Sequence, residues 1–281
     1  MTNSDRSFML SLRQRGFSLI ELMIAMVLGL LLTVVLSQLF ITSKRNFSST
    51  DDTARMQENI RFATQMLMRH VRLAGYRNDA TIAPATTFPP GTDSAGLFGT
   101  EGGAGPPIPS DSIKIRFQGS GSGTSSARAS MATAYMTADD TNADGLVVDC
   151  RGYKVHSSLI ALNEYSIATG ANGSNALFCN GSELVSDVDS MQIIYGVDTD
   201  TPTQENTYGP NYYVSASGVT NMDLVTAVKI ALLFRSPNPT SDVTISKSYN
   251  LLGTTIPSFG DMRSRRVASV TINLRNRPLK E

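Results

Sequence analysis

The 281-residue chain has no tryptophan, two cysteines, two histidines and no net charge, its 24 basic residues being balanced by 24 acidic ones. Each shortage removes a class of function. A neutral chain has no global field to draw nucleic acid or an anionic membrane surface to it. Two cysteines and two histidines leave too few ligands for an ordinary zinc cage. With so little histidine, and with no G-x-S-x-G elbow, no P-loop and no H-E-x-x-H, the chain offers no catalytic constellation. Neither an enzyme nor a cofactor is expected.

What the chain does have is one dense apolar block. Residues 17–41 read FSLIELMIAMVLGLLLTVVLSQLFI, 25 residues with a single charge, Glu21. As a helix this run would measure roughly 37 Å, enough to cross a bilayer core with tilt to spare. Ahead of it Arg6, Arg13 and Arg15 stand against one acid, Asp5. A secretory signal peptide is disfavoured, because its apolar core runs only about 7–15 residues and ends at a small-residue cleavage site. No such site occurs here before Lys44. A plain membrane anchor does not account for Glu21 either, since a carboxylate costs about 2.5–3.5 kcal/mol at the centre of a span and somewhat less near its end.

The run Arg15-Gly16-Phe17-Ser18-Leu19-Ile20-Glu21-Leu22 resembles the class III leader of type IV pilins and type II secretion pseudopilins. The resemblance implies that a prepilin peptidase cuts between Gly16 and Phe17 and methylates the new amino terminus at Phe17. It also implies that Glu21 serves assembly by pairing with the amine of a neighbouring subunit.

Beyond Lys44 and Arg45 the sequence turns polar but keeps helical spacing, with Met56, Ile60, Ala63, Leu67, Val71 and Ala74 on one stripe and Gly75 placed to cap the end. No proline falls between Phe17 and Ala83, so a single helix over 18–74, roughly 85 Å long, is predicted. Residues 81–110 hold six of the 12 prolines and six of the 22 glycines and read as a loop. The run GSGSGTSS at 119–126 reads as a flexible loop as well. Strand-like runs follow at 112–118, 146–150, 175–179, 191–197, 225–235 and 267–274. No helical pattern interleaves with them, which argues for antiparallel sheets rather than a parallel βαβ sheet.

ENIRFATQMLMRHVRLAGY at 58–76, DCRG at 149–152, LFCN at 177–180, MQIIYGVDTD at 191–200, VTAVKIALLFRS at 225–236 and TINLRNR at 271–277 together resemble the PilW minor pilins, with the J-type pseudopilin of type II secretion as the alternative. The expected fold is the α+β pilin fold, a long amino-terminal helix packed on antiparallel β-sheets. Its parts are a leader at 1–16, a membrane-spanning and filament-core half-helix at 17–41 and an amphipathic half-helix at 42–75. A Pro/Gly-rich loop at 76–110 and a β-rich globular domain at 111–281 complete it. The resemblance implies a low-abundance structural subunit that helps prime pilus assembly in a tip complex. The implied partners are the peptidase, other minor and major pilins, the inner-membrane assembly platform and, before assembly, the lipid bilayer. The globular domain would lie in the periplasm and later on the extracellular pilus.

Three further groups bear on function. Cys150 and Cys179, both at ends of strand-like runs, face an oxidising compartment on this reading and are expected to form a disulfide stabilising the fold by roughly 3–4 kcal/mol. Asp198, Asp200 and Glu205 are oxygen ligands of the kind calcium takes, but Pro202 and Thr203 stand where a D-x-D-x-D-G loop needs its third acid and its glycine, so a solvated loop is preferred. Arg263, Arg265, Arg266, Arg275 and Arg277 cluster near the carboxyl end. They suit DNA phosphates poorly for want of interleaved aromatics, and edge-strand charges are the simpler expectation.

Overall fold

The computed structural model describes residues 16–78, 96–102, 108–121, 143–200 and 209–276. The chain divides into two compact units, Met1–Asp51 and Asp52–Glu281. One helix, α1 (Leu19–Val71), runs through both.

In the first unit α1 carries the apolar block, and every large apolar side chain from Leu19 to Ile41 is 52–77% exposed. Nothing in the unit buries them. Two hydroxyls in the block are satisfied within the helix: Thr33 donates to the carbonyl of Gly29 and Ser37 to that of Thr33, each at 2.8 Å. Such back-bonding frees these two hydroxyls from dependence on water, as a helix in hydrocarbon requires.

In the second unit the predicted stripe is the buried one. Met56, Ala63, Leu67, Val71 and Ala74 lie in the main core and Ile60 packs against it. Asp52, buried near the start of this segment, accepts a 2.9 Å hydrogen bond from Asn238 Nδ2, and Asn59 Nδ2 donates to the carbonyl of Ser186 at 3.5 Å. The helix ends three residues before the predicted boundary. Gly75, at φ +69°, turns the chain so that its N–H reaches the carbonyl of Arg116, and a side chain there would meet the backbone oxygen of Asn276. Asn276 in turn donates to the carbonyl of Arg72 at 2.9 Å, satisfying one of the helix's terminal acceptors.

Two antiparallel sheets cover this half of α1. The first contains β1 (Leu97–Thr100), β2 (Ser112–Gln118), β3 (Ile160–Thr169), β4 (Asn175–Cys179) and β5 (Ser182–Ser186) in sequential order. The β4–β5 turn is Asn180-Gly181 with φ of 50° and 76°, the pair a tight primed turn demands. The second sheet has the order β11-β8-β6-β7, with β6 Val188–Val197, β7 Tyr212–Val214, β8 Val225–Arg235 and β11 Arg265–Asn273. On β8 the residues Val228, Ile230, Leu232 and Phe234 join the main core. Alternate side chains point to the opposite face, where Ala231 and Leu233 pack with Tyr249, Leu251 and Ile256 of the hairpin β9 (Tyr249–Leu251) and β10 (Thr254–Ile256).

Of the predicted strands, 146–150 is corrected. The Asp149 carboxylate accepts the N–H groups of Arg151 and Tyr153, both at 2.9 Å, and Gly152 takes φ +92°, so the segment turns instead of extending. Only an isolated bridge, Val148 with Lys154, remains. The predicted 76–110 loop is corrected at Leu97–Thr100, which pairs with β2 as the strand β1; most of the rest of it, and the 119–126 loop beyond Gly121, lie outside the described residues.

Candidate assembly site

The leader, except Gly16, lies outside the described residues. Gly16 and Phe17 precede the first turn of α1, and Phe17 is 84% exposed. Helical bonding begins with Leu22 N–H on the carbonyl of Ser18 at 3.1 Å. Glu21 is the one acidic residue of that first turn, exposed and without an ion-pair partner among the described residues. Unpaired helix N–H groups favour a carboxylate there by about 0.3–1 kcal/mol, well short of the several kcal/mol that apolar burial exacts. An exposed apolar helix of spanning length with a carboxylate at its amino end therefore calls for a membrane, and then for other helices, around it.

In the second unit Cys150 and Cys179 are linked, with Cα atoms 6.3 Å apart and both residues buried. Cys150 N–H donates to Asn163 Oδ1 at 3.0 Å, and Cys179 pairs with Tyr165 across β3 and β4. The bridge thus fastens the turn at Asp149 to the sheet that covers α1.

Comparison with known proteins finds two matching family models. A profile described as "Prokaryotic N-terminal methylation motif" matches residues 11–37, and one described as "Type IV Pilus-assembly protein W" matches residues 161–276. The chain carries a PilW domain behind a prepilin methylation motif. No curated protein sequence matches it. Among solved structures it is similar to a type IV-like pilin from Thermus thermophilus, at 12% identity and a TM-score of 0.41, over 80% of this chain and 99% of that one. The PilW domain and the prepilin motif together support a type IV pilin-like subunit, and the motif implies processing by a peptidase, anchoring in a membrane and association with other pilins.

The remaining sequence-derived residues fall into place around this PilW-family domain. Asp198 is buried and its Oδ1 accepts the N–H of Asp200 at 3.0 Å, while Asp200 Oδ1 accepts from Asn211 Nδ2 at 3.0 Å. Glu205 lies outside the described residues, so no three-carboxylate cluster is assembled among those described. The arginine cluster is corrected in part. β11 is an edge strand, as expected, but Arg265 is not a solvated edge charge. Its side chain is 2% exposed, meets Asp189 at 2.7 Å and Asp261 at 2.6 Å, and lies over the Phe259 ring. Arg263 donates to the carbonyls of Ser236 and Pro237. Arg266 and Arg275 remain exposed, and Arg277 lies outside the described residues.

Sequence reasoning missed β3, whose Asn163 and Glu164 interrupt an apolar run. Asn163 is fully buried because its side chain receives the Cys150 N–H. It also missed the partner of His70, because no spacing rule connects a helix residue to Tyr165, 95 positions away.

Proposed function

We propose that this chain is a minor pilin of the PilW family that primes type IV pilus assembly within a tip complex of other minor pilins. The single observation that carries the reading is the joint presence of the methylation motif at 11–37 and the pilus-assembly domain at 161–276 in one chain. On this reading the peptidase cuts after Gly16 and N-methylates Phe17. The apolar half of α1 then rests in the inner membrane until the assembly platform moves it into the filament, where the same exposed apolar side chains pack against other pilin helices. Glu21 recruits the subunit by pairing with a neighbouring amine, and the disulfide-bridged domain lies in the periplasm before assembly and on the extracellular pilus afterwards.

The test is deletion of the gene with complementation in trans. Loss of surface pili and twitching with exoprotein release intact is the expected result. Loss of exoprotein release with pili intact would replace the reading with a J-type pseudopilin of type II secretion.

A further inference from the structure

The second sheet ends on β11, whose outer edge has no partner among the described residues. The backbone fixes which groups that edge presents. Leu274 N–H donates to the carbonyl of Thr226 at 2.9 Å, and Ser236 N–H to that of Ser264 at 2.8 Å. Between these two pairs β11 and β8 run without a register shift, from Arg265 opposite Arg235 to Asn273 opposite Ala227. Even-numbered residues of β11 therefore form the hydrogen-bonded pairs with β8. In an antiparallel ladder the alternate residues turn N–H and C=O to the other side. Arg265, Val267, Ser269, Thr271 and Asn273 thus aim both backbone groups away from the sheet.

Edges of this kind are normally blunted by charge, proline, bulges or shortness. From Val267 to Asn273 the sequence VASVTIN has no charge, proline or glycine, and Val267, Ser269, Thr271 and Asn273 are exposed. The other edge of the same sheet, β7, is three residues long, whereas β11 has nine. The edges of the first sheet are β1, four residues, and β5, five residues including Glu183. Only β11 combines length with an unguarded centre among the described strands.

We propose that β11 accepts an extended segment of a different polypeptide, acidic at its ends, as the next strand of the sheet. Backbone pairing would supply the affinity and alternate side chains the selectivity. The acidic ends follow from charge. Exposed Arg266 and Arg275 bracket the strand, whereas Arg265 is already paired with Asp189 and Asp261. Two copies pairing edge to edge would set basic ends against basic ends, which disfavours a second copy. The inference does not depend on which filament the subunit joins.

The experiment uses the processed full-length protein in detergent and two labelled peptides, each an alternating threonine–valine strand with paired aspartates or paired lysines at its ends. The aspartate peptide is expected to bind at least about tenfold more tightly by fluorescence anisotropy. The amides of Ser269 and Thr271 should exchange fast in the free protein and slowly with that peptide bound. Ser269→Pro removes an outward N–H without touching the β8 ladder, and Thr271→Glu adds a guarding charge of the sign the aspartate peptide carries. Both should weaken peptide binding about tenfold or more while leaving the urea midpoint unchanged. Equal binding of the two peptides, or no binding, would overturn the proposal. So would slow exchange in the free monomer, which would mean that the chain covers its own edge, or a concentration-dependent dimer abolished by Ser269→Pro. Should both variants unfold, the peptide comparison and the exchange measurement on the unmodified chain decide alone.

Discussion

His70, in the last turn of α1, is hydrogen-bonded through Nδ1 to the hydroxyl of Tyr165 on β3, and both side chains are buried in the main core. Burial holds the Tyr165 phenol well above its ordinary range, so it stays protonated and donates. The opposite ring nitrogen of His70, Nε2, is buried with no partner. Protonating the ring would place a charge between helix and sheet with no carboxylate bonded to it among the described residues and with Arg69 near by.

Stability should therefore fall with acid through His70. Burial first, and the Arg69 charge second, lower its pKa from 6.5 to about 4. A base whose pKa is depressed by folding is uncharged in both states above 6.5, so its full contribution is present there. That contribution is lost progressively as pH falls from about 6.5 to about 4, to a total of about 3 kcal/mol. Urea midpoints of the full-length protein in detergent, followed by tyrosine fluorescence, should decline across this window. His70→Gln should flatten the decline, and an identical pH dependence in that variant would reject the assignment. Asp111 and Asp189, both raised by burial, act in the opposite direction and are common to both proteins, so the difference isolates His70.

Glu21→Ala is expected to leave cleavage after Gly16 intact while reducing incorporation into pili sharply. Immunoblots of sheared filaments beside the membrane fraction, with mass spectrometry of the amino terminus for N-methylated Phe17, supply the measurement. Normal incorporation of the correctly cut variant would reject the pairing with a neighbour's amine. Failure of cleavage would assign Glu21 to peptidase recognition.

Much of the architecture was legible because it is periodic. The stripe Met56–Ile60–Ala63–Leu67–Val71–Ala74 follows helical spacing and is the packed face. The strands at 175–179 and 225–235 were bounded correctly, because apolar β-formers there end at turn residues. What escaped is long-range and polar. Asn163 reads as a strand breaker until a cysteine N–H 13 positions away is brought to it. Arg265 reads as a surface charge until Asp189, 76 positions away, is brought beside it. The carboxylate of Asp149 defeated the 146–150 strand because a short polar side chain offered the backbone a turn instead.

Replacing both Cys150 and Cys179 with alanine should lower stability by roughly 3–4 kcal/mol in the loop-entropy account, since the bridge closes a span of 29 residues that includes β3. A reductant should lower the urea midpoint of the unmodified protein comparably and leave the variant's unchanged. Equal midpoints for the two proteins without reductant would show that the bridge contributes nothing.

Arg265 supplies the sharpest test of the ion pairs. Its guanidinium serves Asp189, 3% exposed, and Asp261, one-third exposed, so the two contacts differ in worth. Burial is the largest influence on Asp189 and raises its pKa even with Arg265 beside it, whereas the hydrogen bonds from Arg265 hold Asp261 below its usual range. Removing the cation strands a buried carboxylate that Arg235, 3.9 Å away, serves only weakly. Arg265→Leu should therefore cost about 3 kcal/mol at neutral pH, at the low end for breaking a buried pair because Asp261 stays hydrated. The sign with pH is opposite to that of His70. A carboxyl whose pKa is raised by folding gives its contribution at low pH and loses it as pH rises through the folded value, so the Arg265→Leu deficit should shrink on acidification as Asp189 takes a proton. Adding Asp189→Asn should recover a large part of the loss, because the stranded charge is gone. Urea midpoints of the four proteins of this cycle at neutral and mildly acidic pH give the answer: a deficit independent of pH, and equal in the presence of Asp189→Asn, would mean that Arg265 acts through packing on Phe259 instead of through charge.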